Sequence, residues 1–159
     1  MEEYVIRPIG RVEAHEDGGA TLRIDEPYRA GLRGLDGFGH LEVLWWSHLV
    51  DTDELRSVVD AGRPYVGLAY DLGIFATRSP MRPNPISLTV VEVESFDAEA
   101  GTVSVPYLDA EDGTPLVDLK PYTPSIDRIV HPRVPVWCAT WPDSVETSGD
   151  FDWGAVFRF

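Results

Sequence analysis

Apolar residues along this chain come in short runs and not at the three-to-four spacing of an amphipathic helix. Runs rich in β-branched and aromatic residues fall at 4–12, 20–24, 41–48, 65–70, 87–95, 102–108, 134–140 and 156–159, with clusters of Gly, Asp and Pro between them. That pattern predicts many short strands. DELRSVVDA, residues 53–61, is the one plausible helix of the middle region, and residues 28–35 add a turn or two. Repeats, heptads, βαβ alternation and a glycine-rich dinucleotide loop are all missing from the sequence. The expected fold is mainly β, a barrel or sandwich in a single domain over residues 1–159, with one or two short helices. The tail DSVETSGDFDWGAVFRF opens polar and closes on Trp153, Phe157 and Phe159, which predicts a returning strand.

One stretch breaks the alternation. GIFATRSPMRPNPISL, residues 73–88, sets two arginines, three prolines, an asparagine and three hydroxyl residues between apolar runs. Each proline fixes its own φ, removes a donor and pushes the residue before it out of the helical region. Ser79-Pro80, Arg82-Pro83 and Asn84-Pro85 therefore predict an extended, stiff segment without a ladder. Thr77, Arg78, Ser79, Arg82 and Asn84 offer donors on that pre-set backbone, which lowers the ordering cost of holding a polar ligand. Arginine suits a planar carboxylate or a phosphate.

Charge changes the picture of the surface. Lys+Arg 13 against Asp+Glu 27 gives a net charge of −14, and Lys120 is the only lysine. With 43% hydrophobic residues the chain can still form a core, so the acidity is not a sign of disorder. It suits concentrated salt, where the Debye length falls to about 3 Å at 1 M and self-repulsion is screened. Broad electrostatic capture of nucleic acid is disfavoured, but Arg78, Arg82 and Lys120 can still form a small local basic site. Cys138 is the single cysteine, which excludes an internal disulfide, and no Cys/His spacing resembles a zinc site. No signal-peptide pattern opens the chain and no apolar run is long enough for a membrane helix, so a cytoplasmic protein is expected.

Two further segments carry candidate chemistry. In GLDGFGHLEVLWWSHL, residues 34–49, a glycine-rich turn leads into a strand expected to carry His40 and His48 on one face, beside Trp45 and Trp46. The Leu44-Trp45-Trp46 run is expected to expose more aromatic surface than a monomer tolerates. In VPYLDAEDGTPLVDLKPYTP, residues 105–124, Asp112-Gly113 and Thr114-Pro115 mark a turn. Asp118 and Lys120 then alternate with Val117 and Leu119, so both charges share one face of an extended run. There is no Ser-His-Asp order, no P-loop and no nucleophilic cysteine pair.

GIFATRSPMRPNPISL and DGTPLVDLKPYTP, preceded by GLRGLDGFGHLEVLWWSH, resemble the TsaA-like, or TrmO, family of tRNA adenosine N6-methyltransferases from about residue 6 to residue 124. The resemblance implies a small single-sheeted β-barrel, a homodimer and S-adenosylmethionine as methyl donor. It also implies transfer to N6 of a threonylcarbamoylated adenosine beside the tRNA anticodon. Carried across motif by motif, the cofactor contacts fall on His48, Leu49, Arg78, Leu88, Pro106, Tyr107, Leu108 and Asp109. Thr77, Arg82, Asn84 and Tyr122 would line the cavity, with Asp118 or Lys120 at the chemistry. The sequence departs from the pattern in HEDGGATLRIDEPYRAGL, which is shorter than the family's cofactor segment. Ser87 stands where Gly is common and Gly39 where Ser is usual. The additional C-terminal domain of longer members is expected to be missing.

Methyl transfer from a sulfonium is an in-line displacement, so placement of the acceptor is most of the work. The N6 proton needs an acceptor, for which the candidates are Asp118 or a Lys120 of lowered pKa. Tyr107 and Asp109 suit the cationic sulfonium, and Arg78 suits the carboxylate or adenosine end. Two other readings stay open: the same cofactor with a small-molecule or protein acceptor, and a cofactor- or RNA-binding module without catalysis.

Overall fold

The computed structural model describes residues 4–158. In chain order the strands are β1 (Gly10–Ala14), β2 (Ala20–Ile24), β3 (His40–Trp46), β4 (Asp60–Gly62), β5 (Leu72–Gly73), β6 (Ile86–Glu92), β7 (Ser95–Asp97), β8 (Thr102–Val105) and β9 (Pro115–Pro121). The helices α1 (Asp53–Arg56), α2 (Pro124–Asp127) and α3 (Val145–Ser148) are single turns, joined by 3-10 turns such as Glu26–Leu32. Seven strands pair antiparallel in the order β6-β3-β9-β1-β2-β8-β7, and β4 with β5 makes a separate ribbon. No helix among the described residues is long and apolar enough to cross a membrane.

Period-two patterning builds the sheet. Ala20, Leu22 and Ile24 of β2 are buried while Thr21 and Arg23 are half-exposed, and Leu41, Val43 and Trp45 of β3 alternate with outward Glu42, Leu44 and Trp46. The inward residues meet Val12, Val91, Val103, Val105, Leu108 and Leu116 in one core. Gly10 is required where β1 meets β2, because a Cβ there would stand 2.0 Å from the Arg23 carbonyl oxygen.

The two outermost strands are consecutive in the chain. At Val93 the amide donates to Gly39 O beside β3, and at Glu94 the next amide donates to Ser104 O of β8. The run expected at 87–95 therefore divides, and its two parts end the sheet at opposite sides. Among the described residues no ladder pairs β6 with β7, so the structure is a seven-stranded antiparallel sheet and no closed barrel is drawn.

Other expectations are corrected. Residues 65–70 are not a strand: Pro64 precedes them, Gly67 takes φ +86°, and Tyr65 alone forms a bridge, to Phe157. Residues 134–140 hold the 3-10 turn Val136–Cys138, since Pro135 contributes no amide donor. The tail makes α3, the turn Trp153–Ala155 and that one bridge in place of a returning strand; Phe159 lies outside the described residues. The 53–61 helix stops at Arg56, because the Ser57 hydroxyl donates back to Glu54 O at 2.6 Å and the chain then enters β4. The first run is a strand only from Gly10. Trp45 is only 6% exposed and belongs to the core, so the Leu44-Trp45-Trp46 run is not the exposed aromatic surface expected.

Candidate functional site

The proline-rich loop is held by side chains in place of a ladder. A 3-10 turn, Ile74–Ala76, opens it, with Ile74 buried and the buried Thr77 hydroxyl donating to Ile74 O at 2.8 Å. Thr77 Oγ1 in turn accepts from the Ser79 amide at 3.3 Å. Arg82 donates through Nη1 to Thr77 O at 3.2 Å and Ser79 O at 3.4 Å. Arg56 of α1 donates through Nε to Pro83 O at 3.0 Å, while its guanidinium lies 5.7 Å from the Trp46 ring centroid and pairs with Asp51 at 3.3 Å. Pro85 is fully buried, and Asn84 is exposed beside it. Arg78 reaches across the loop and donates through Nη2 to Leu88 O.

At the end of β3 the chain turns from Ser47 into the short 3-10 segment His48–Val50. The strand stops at Trp46, so His48 does not share a strand face with His40 as the spacing predicted. The Ser47 amide donates to Pro85 O at 2.8 Å, and the Ser47 and Ser87 hydroxyls pair at 2.8 Å. His48 Nδ1 lies 3.4 Å from the hydroxyl of Thr114, which is 2% exposed. Leu49 projects into solvent. Residues 106–109 follow β8 along the β1–β2 turn, where the Leu108 amide donates to Gly18 O at 3.3 Å. Leu108 is buried, whereas Pro106, Tyr107 and Asp109 are exposed. Partial burial of its ring, and then the Asp109 carboxylate, push the Tyr107 phenol upward, so it stays a neutral donor.

The sheet register connects these groups. Leu88 of β6 pairs with Leu44 of β3, and Leu44 pairs with Asp118 of β9. Asp118 therefore lies two strands in from the Arg78–Leu88 contact, about 10 Å at ordinary strand spacing. Asp118 Oδ2 accepts from Lys120 Nζ at 2.6 Å and Oδ1 from the Leu119 amide at 3.0 Å. That hydrogen bond, reinforced by the carboxylate's charge, raises the Lys120 pKa. The expectation of a lysine with a lowered pKa is thus reversed: Lys120 is held as an ammonium. Tyr122 lies further along, its amide on His40 O at 3.1 Å and its ring edge-on to His40 at 6.4 Å.

The structure thus brings Arg78 to Leu88, and Ser47–His48 to both Pro85 and Thr114. Asp118 and Lys120 sit on the outer face nearby, and Tyr122 stands apart. Sequence reasoning missed Arg56, Ser47 and Thr114. No local pattern links Arg56 to Pro83, and Thr114 read only as part of a turn.

By residue type these side chains suit a sulfonium cofactor with an amino-acid tail, although residues 106–109 follow β8, separated from β6 by four strands in the sheet order. Arg78 has a fork for a carboxylate, Tyr107 and Asp109 offer a ring and a negative charge to a cation, and Leu49 and Leu88 are exposed apolar surface. Comparison with known proteins agrees. Residues 9–128 match the family described as the tRNA-methyltransferase O N-terminal domain. An S-adenosyl-L-methionine-binding protein of Archaeoglobus fulgidus is 35% identical over 138 residues, covering 79% of this chain and 94% of that protein. The tRNA (adenine(37)-N6)-methyltransferase of Escherichia coli is 38% identical over 112 residues, 68% of this chain and 47% of that protein. The crystal structure of TrmO from Pseudomonas aeruginosa superposes with a TM-score of 0.62 at 28% identity, over 83% of this chain and 62% of that one. The chain thus spans less than two thirds of the solved TrmO structure and under half of the E. coli enzyme. By its matched residues, this chain belongs to the tRNA-methyltransferase O family.

Proposed function

We propose that the chain is an S-adenosylmethionine-dependent methyltransferase that acts on N6 of an adenosine in tRNA, namely the threonylcarbamoylated adenosine beside the anticodon. The observation that carries this is the joining of the stiff Arg78 loop to the His48 turn through the Ser47–Pro85 bond, beside Thr114 and with Asp118 on the adjoining face. When bound, the cofactor supplies an activated methyl group on a sulfonium and leaves as a neutral thioether. Arg78 holds its carboxylate, Tyr107 and Asp109 flank the cation, and Leu49 and Leu88 cover its apolar surface. The Asp118 carboxylate takes the proton that N6 loses. A carbamoyl group on N6 makes that proton more acidic, so an ordinary carboxylate suffices. Lys120, held as an ammonium, orients Asp118 and does not accept the proton.

The chain's partners and setting follow from the same reading. We infer that the sheet is rolled into a barrel by the Val93–Glu94 corner, that the protein is a cytoplasmic homodimer, and that its acidic surface is an adaptation to concentrated salt. Incubating the protein with S-adenosylmethionine and tRNA carrying threonylcarbamoyladenosine, then digesting to nucleosides for mass spectrometry, tests the activity. The expected product is heavier by one methyl. Turnover of cofactor with a metabolite but not with tRNA would move the acceptor to a small molecule. Cofactor binding without turnover would leave a binding module. Binding itself is read by melting: a ligand of the native state stabilises by about 2.7 kcal/mol at 100 times its dissociation constant.

A further inference from the structure

Phe75 stands out in the site loop because it is 78% exposed while its neighbours are fixed. Ile74 before it is 3% exposed and Thr77 after it 8%, and the Thr77 hydroxyl closes the turn on Ile74 O. The ring is therefore presented on a rigid turn. The Arg82 guanidinium lies 5.9 Å from the ring centroid, and its drawn bonds all leave from Nη1, so Nε and Nη2 remain for another acceptor.

Charge sets this surface apart from the rest of the molecule. Residues 72–91 contain no Asp or Glu, although the chain carries 27 acidic residues in 159. Among the described residues Arg23, Arg56, Arg63 and Lys120 each pair with a carboxylate, whereas Arg78 and Arg82 bond only to backbone carbonyls. Met81, also exposed, lies on the same loop. A rigid aromatic ring beside a guanidinium with Nε and Nη2 to spare, on a loop without acidic residues, matches a nucleobase with its adjoining phosphate: every base has a face to stack, and the fork suits phosphate oxygens.

We propose that Phe75 and Arg82 form a stacking platform for an unpaired base of the RNA substrate, next to the nucleotide that is methylated. This rests on the tRNA reading above and names the surface that holds the RNA. The platform compensates for an acidic exterior by concentrating attraction at one loop, with stacking, which salt does not screen, carrying much of the affinity.

The test measures binding of a fluorescein-labelled anticodon stem–loop RNA by anisotropy, with calorimetry of S-adenosylmethionine on the same proteins. Phe75→Ala should weaken RNA binding roughly 5- to 150-fold, leaving cofactor affinity and melting temperature unchanged, and Phe75→Trp should restore RNA binding. Arg82→Gln should reduce the slope of log affinity against log salt by about 1, while Phe75→Ala leaves that slope unaltered. Equal RNA affinity of wild type and Phe75→Ala overturns the proposal. So does a parallel loss of cofactor affinity, which would assign the ring to the cofactor, or a change in particle mass by light scattering, which would assign it to a contact between copies. A wild-type protein that binds the RNA through Phe75 without methylating it sinks the proposed activity but leaves the platform standing. Failure of the wild type to bind the RNA overturns both.

Discussion

In the sheet, Leu22, Val43 and Leu116 are wholly removed from solvent, and each lies in a ladder that fixes its neighbours. A second region, joining residues 61–72 to residues 137–157, is built differently. Tyr65 stacks on Trp137 at 4.8 Å and meets Trp141 and Phe157 edge-on or tilted, and Trp141 meets Trp153 at 5.4 Å. Its backbone tie among the described residues is the Tyr65–Phe157 bridge, made by Val66 N to Val156 O and Arg158 N to Pro64 O. One region is held by directional ladders over a continuous core, the other by ring faces with half-buried edges. Asp118 stands on the first. The loop bearing Arg78 begins where the second ends, at Leu72 and Gly73. The contrast separates the sheet, which carries Asp118, from the aromatic patch, which anchors the start of the Arg78 loop.

The strongest break in this division is Asp118→Asn. If Asp118 is the proton acceptor proposed above, kcat should fall by about 100- to 10,000-fold with little change in cofactor affinity, since the sheet is untouched. A comparable loss of cofactor binding would show that the chemistry and binding roles are not separate. Next, Leu22→Ala should cost about 2–5 kcal/mol in denaturant unfolding and lower the whole transition together. Trp137→Ala should cost less, about 1–3 kcal/mol, and act locally. Amide exchange should accelerate at Val66 and Arg158 before the sheet responds, and cofactor affinity should fall as the loop loosens. Uniform acceleration across β1, β2 and β3 would merge the two regions into one unit. Arg78→Ala should weaken cofactor binding about tenfold and spare kcat.

The smallest effect concerns pH. The hydrogen bond from Arg23 holds the Glu13 carboxyl below the ordinary carboxylate range. Because the folded value is the lower one, this contribution is complete above the ordinary carboxylate pKa and is lost as pH falls through the depressed value. Glu13→Gln should flatten that part of the acid limb in a stability titration by slightly lowering the plateau near neutrality, with the two proteins converging at acid pH. The pair is half-exposed and screened by solvent, so a large effect at neutral pH would contradict the geometry.

The same contrast governs what was legible in the sequence. Strands β2 and β8 fall within predicted runs and β1, β3 and β6 overlap them, while β9 lies in the extended run that carries Asp118 and Lys120; inward and outward residues alternate most clearly in β2, β3 and β8. Residues 65–70 and 134–140 have strand-like composition, yet their aromatics are used for ring packing across the chain, which leaves no local period. The loop's stiffness was legible from its prolines, since proline acts on its own backbone. That Arg78 would spend a donor on Leu88 O, or Arg56 hold Pro83, was not, because both depend on segments joined only by the fold. The direction of the Lys120 shift likewise depended on a distance: at 2.6 Å from Asp118, attraction outweighs the slight burial that opposes it.

Strand order has a consequence for the time course of biosynthesis. β9, the last strand of the sheet to be made, lies between β1 and β3, so the middle of the sheet stays open until Leu116 can pair with Gly10. At ordinary translation speeds of about 5–20 residues per second, β1 waits roughly 5–20 s for its second neighbour. During that interval the β1–β2 hairpin and β3 present unpaired backbone and apolar side chains to solvent. A nascent chain of this protein thus keeps two open edges, each free to mis-pair, until DLKPY has left the ribosome, however stable the finished molecule is.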